Sequence, residues 1–114
     1  MEDLLIEILR KLNFPVVRQG SLGEKDGYPD KFFTFWNNSS NYKSHYDDDP
    51  INIVWDFDVN FYSSDPVAAY SEMARAIENL KKAGFIISGR GYDVPSDAST
   101  HIGRGINVLY LEKL

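Results

Sequence analysis

The chain has 114 residues, of which 43% are hydrophobic and 14% aromatic. That suffices for one folded domain with its own core and is too apolar for a disordered chain. There is no cysteine, which excludes disulfides, thiolate metal sites and thiol nucleophiles. The formal charge of -5 argues against nucleic acid as the main ligand, because phosphate binding needs clustered Lys and Arg.

No apolar run approaches the ~20 residues of a membrane span. The start Met1-Glu2-Asp3 is acidic where a signal peptide is basic. Leu5, Ile8, Leu9 and Leu12 recur at helical spacing and predict a first helix over about 2–12. Acidic residues lie at its positive end and Arg10 and Lys11 at its negative end. Pro15 stops it. Residues 14–19 read as a brief strand, and the glycine-rich 20–30 stretch reads as a loop or turn. The 31–37 stretch is a strand with apolar residues on both faces: Phe32, Phe33, Phe35 and Trp36. Such a strand is covered on both sides or pressed against another subunit.

Residues 38–50 are polar and long for a hairpin connection. Ile51 to Tyr62 is the most informative stretch. Ile51, Ile53, Trp55, Phe57, Val59 and Phe61 hold every odd position, while Asn52, Asp56, Asp58 and Asn60 hold four of the even ones. Period-two alternation predicts a strand with one face on a core and the other on water or a polar partner. Asp65 then reads as an N-cap and Pro66 as a first helical residue. Val67, Tyr70, Met73, Ala74, Ile77 and Leu80 predict the apolar stripe of a 66–83 helix, with Gly84 as its left-handed cap. Residues 85–92 and 106–112 read as two further strands, with a long loop over 93–104 between them. The expected fold is α+β: an antiparallel sheet of four or five strands, in the order α-(β)-β-β-α-β-β, with helices on one face. Trp55, Phe57, Val59, Ile77, Leu80, Ile106 and Val108 are its candidate core.

Few residues offer chemistry. His45 and His101 lie in polar loops; Ser96, Asp97 and Ser99 accompany His101 without a catalytic motif. A solvated loop explains them more simply. Asp47-Asp48-Asp49 lacks the spacing and glycine of a calcium loop, so no metal and no cofactor is expected. Asp56 and Asp58 protrude from one face ~7 Å apart, as paired carboxylates do in some hydrolases, or simply as the polar side of an amphipathic strand. Gly89-Arg90-Gly91 and Gly103-Arg104-Gly105 do not fit a phosphate loop. They read as loop bases whose arginines project towards a partner's carboxylates.

Several segments taken together resemble a family. Phe32 to Asn37, a polar loop, Trp55 to Pro66, Leu80 to Phe85 and Gly91 to Asp97, with His101, Gly103 and Arg104, are similar to small tail-terminator or tail-completion proteins of long-tailed bacteriophages. These are also described as head–tail joining or minor capsid proteins. The likeness spans about residues 30–112 and is one of order and texture. It implies a virion protein without enzymatic activity, made in the cytoplasm of the bacterial host and assembled as a hexameric ring. The ring would end tail-tube growth and meet the head connector, with DNA only passing through its lumen and no membrane contact. Tyr42, Tyr46, Asp47, Asp48, Asp49, Arg90 and Arg104 are the candidate interface residues, since Tyr and Arg are common interface anchors. Two other readings are a small non-catalytic binding or inhibitor module, and a small hydrolase using His101 and Asp97.

Overall fold

The computed structural model describes residues 1–18, 29–42, 52–96 and 100–113. Its elements are α1 (Glu2–Arg10), β1 (Val16–Arg18), β2 (Lys31–Tyr42), β3 (Asn52–Ser63), α2 (Pro66–Lys82), β4 (Ile86–Ile87), β5 (Tyr92–Val94) and β6 (Ile102–Lys113). The fold is α+β, but the sheet is mixed and six-stranded, ordered β1-β2-β3-β6-β4 with β5 also on β6. The expected all-antiparallel sheet of four or five strands is corrected at two places. First, β1 runs parallel to β2, Val16 to Arg18 facing Phe33 to Phe35. Second, the expected 85–92 strand is two short pieces, Ile86–Ile87 and Tyr92–Val94, both antiparallel to β6. Gly89 and Gly91 have φ of 77° and 100°, in the left-handed region where a strand cannot continue.

Three 12-residue strands, β2, β3 and β6, form the platform. The polar 38–42 stretch, expected as loop, extends β2 until Tyr42 pairs with Ile53. A register shift between Asn37 and Ser39 marks a β-bulge there. Strand β6 begins at Ile102 rather than 106 and pairs along the whole of β3.

Both helices cover one face. Phe57, Val59 and Phe61 of β3 point into the core, as their odd numbering predicts. They meet Phe33 and Phe35 of β2, Ile106 and Val108 of β6, and Leu5, Ile8, Leu9 and Leu12 at the α1 end. Burying a side chain of this size contributes ~1.5–3 kcal/mol. Trp55 and Ile77 are half-buried at the core margin.

The Asp65 carboxylate caps α2 by accepting from the Val67 N–H at 3.0 Å, and Gly84 takes the expected left-handed turn at φ 103°. The buried stripe of α2 is rotated from the expected one. It runs through Ala69, Met73, Ala76 and Leu80, leaving Val67, Tyr70 and Ala74 exposed. Two alanines on the sheet side let the helix backbone approach the strands closely, so the larger side chains fall on its flank.

Candidate functional site

Among the described residues, no helix lies on the other face of the sheet. Strand alternation places on it Phe32, Thr34 and Trp36 from β2, Asp56, Asp58, Asn60 and Tyr62 from β3, and Gly103, Gly105 and Asn107 from β6. Phe32 is nevertheless buried, because it stacks on Tyr62 at 5.3 Å and meets the edge of His101 at 6.0 Å. Trp36 and Tyr92 stay 49% and 47% exposed. Between them lies a shallow depression with Asp58, Asn60, Asn38 and Val94.

Two glycines shape that depression. A Cβ on Gly105 would stand 2.6 Å from Asn60 Oδ1, 2.8 Å from Val94 Cγ1 and 2.9 Å from Tyr92 Cε2. A Cβ on Gly103 would stand 2.6 Å from Val94 Cγ2 and 2.8 Å from Tyr62 Cε1. Without side chains there, Tyr92 and Val94 lie flat across β6 towards β3.

A carboxylate–amide array adjoins the depression. Asn107 Nδ2 donates to Asp56 Oδ1 at 2.7 Å and to Asp58 Oδ1 at 3.1 Å, holding the two carboxylates side by side. Asn38 Nδ2 adds a donor to Asp56 Oδ1 at 3.2 Å. Burial and then the Asp58 charge push the Tyr92 phenol above its ordinary pKa, since both disfavour a phenolate. Thr34, opposite Asn60 in register, is only 6% exposed, and its hydroxyl has no hydrogen-bond partner among the described residues.

The residues singled out from sequence fall apart. Tyr46, Asp47, Asp48 and Asp49 lie outside the described residues, as does the Tyr42 side chain at the end of β2. Arg90 is exposed on the turn between β4 and β5. Arg104, expected to project outwards, is turned against its own chain. Its Nη1 donates to Asp93 Oδ1 at 3.0 Å, its Nη2 donates to the Gly91 carbonyl at 3.1 Å, and its guanidinium lies 4.8 Å from the Tyr70 ring centre. The reason is register: Arg104 pairs with Phe61 and so emerges on the helix-covered face, under the flank of α2.

His101 Nε2 lies 2.8 Å from the Pro29 carbonyl and Nδ1 lies 2.9 Å from the Thr100 hydroxyl. A carbonyl only accepts, so Nε2 carries the hydrogen. The ring thus ties the start of β6 to the approach to β2, while Asp97 lies outside the described residues.

Sequence inspection missed Tyr92, Asn107 and the two β6 glycines as parts of one surface. From sequence, Trp36 stands out as an apolar residue on the second face of its strand and as part of the Phe32–Asn37 segment of the resemblance. The available signal was the placement of small residues opposite an aromatic across a strand pair, which needs the register to be read.

No helix among the described residues is long and apolar enough to cross a membrane. Neither a family model nor a curated protein matches this chain.

Proposed function

We propose that the chain is a non-catalytic assembly subunit of a long-tailed phage or prophage virion. It would complete or terminate the tail tube and join it to the head connector as an oligomeric ring. The observation that carries this is the sheet face left uncovered by the described residues, a platform of three 12-residue strands with half-exposed Trp36 and Tyr92. A solitary subunit gains nothing by exposing such rings, whereas an interface does. Among the described residues behind the phage resemblance, most fall on β2, β3 and the β5–β6 region, which are neighbours in one sheet, and others lie at the ends of α2. In this assembly Arg90 and the 42–49 segment would face neighbouring subunits, and Arg104 would brace its own subunit.

The test is complementation of the parent phage lacking this protein. Removing residues 43–50 should leave a folded chain that no longer yields tails of fixed length. Normal tails from that variant would overturn the proposal.

A second reading, a monomeric binding module, rests on the same open face. Sizing and tail complementation together separate the two: a strict monomer that has no effect on tails favours the module. A hydrolase built on His101 and Asp97 has less support, because both His101 ring nitrogens are engaged by Pro29 and Thr100.

A further inference from the structure

Two arginines of the chain occupy seats of one kind. Arg104 lies over the Tyr70 ring and donates to the Asp93 carboxylate. Arg18 lies 5.9 Å from the centre of the Phe35 ring and donates to Glu2 at 2.6 Å. Each seat is an aromatic face plus a carboxylate. A guanidinium suits both, since it is planar, weakly hydrated and has N–H groups around its rim.

The same groups recur on the open face, where no cation of the described residues meets them. Trp36 and Tyr92 flank Asp58, and Asp56 lies beside it. The two carboxylates receive amide hydrogens from Asn107 and Asn38. Among the described residues, no Lys or Arg forms an ion pair with either, although five other ion pairs are present.

We propose that Trp36, Tyr92 and Asp58 form a third guanidinium seat, filled by an arginine side chain of a partner protein. Charge selects the occupant. A neutral sugar would stack on the rings but leave two adjacent carboxylates uncompensated. A lysine would offer a point charge without a plane to stack. An arginine satisfies ring and carboxylate together, as in the two seats that are filled. This proposal stands apart from the tail reading, because any arginine-bearing partner would serve it.

The experiment is an NMR titration of the isotope-labelled full chain with the peptide acetyl-Gly-Arg-Gly-amide. Saturable shifts are expected at the Trp36 indole and at the amides of Asp58 and Tyr92. The citrulline peptide keeps the shape but lacks the charge, and should bind about tenfold or more weakly, as the charge pairing requires. Asp58→Asn should weaken the arginine peptide to a similar degree. Absence of saturable shifts, or equal binding of the citrulline peptide, would overturn the proposal. So would equal binding of cellobiose, which would mark a sugar platform instead. The citrulline comparison uses the unaltered chain, so it decides the matter even if Asp58→Asn fails to fold.

Discussion

The two faces of one sheet obey different rules here, although the same strands build both. On the helix side, Phe57, Val59 and Phe61 are fully buried in a continuous core. One residue away, Asp56, Asp58 and Asn60 line a wet surface of carboxylates, amides and half-exposed rings. The apolar packing is concentrated on the first face and the polar side chains on the second, so substitutions on β3 should separate by parity.

The largest expected effect is Phe57→Ala. Emptying this site should cost ~3–5 kcal/mol in urea unfolding. Asp58→Asn, next to it, should stay within about 0.5 kcal/mol. A comparable cost for both would end the distinction between the faces.

Gly105→Ala comes next, at about 1–3 kcal/mol, because the new Cβ meets Asn60, Val94 and Tyr92 at 2.6–2.9 Å. It should also move the Tyr92 ring, visible as altered tyrosine shifts in NMR. A fully stable variant with an unmoved ring would show that the depression does not depend on that glycine.

Arg104→Gln should cost only ~0.5–1 kcal/mol, since Asp93 is 78% exposed and solvent screens the pair. Thr34→Val should be neutral or gain up to about 1 kcal/mol, because it removes a buried hydroxyl that has no partner among the described residues. A clear loss would mean that this hydroxyl is satisfied in solution.

The smallest effect concerns pH. The Tyr92 pKa is raised, so its contribution to stability is intact below the ordinary tyrosine value and is lost as the pH climbs through the raised one. Asp58→Asn should lower that pKa only partly, because burial is the larger cause. Tyrosine-resolved NMR titration would check this; a full return to the ordinary value would make the carboxylate the dominant cause.

Period-two alternation made β3 legible, and with it the parity of the whole platform. Proline and the cap residues made the start of α2 legible. The parallel placement of β1 was not, because pairing partners are set by tertiary packing and three residues carry no directional signal. The rotation of the α2 stripe was missed because alanine reads as neutral in sequence, yet decides how closely a helix can sit. Tyr92 and Asn107 were hidden for a related reason: they join Asp58 only through the β3–β6 and β5–β6 registers. Arg104 was misjudged because a Gly-Arg-Gly triplet says nothing of which face the arginine takes.

The bulge between Asn37 and Ser39 has a consequence for behaviour in concentrated solution. Among the described residues, β1 covers β2 only from Phe33 to Phe35, and beyond that point β2 continues as Trp36-Asn37-Asn38-Ser39-Ser40-Asn41-Tyr42. A straight, apolar, uncovered strand of this length is a template for fibril growth. The kink and the run of short polar side chains spoil that template, so stray strands should not stack there. Straightening the bulge and replacing Asn37, Asn38 and Asn41 with valine should increase fibril formation on standing, read as a rise in thioflavin fluorescence over the unaltered chain.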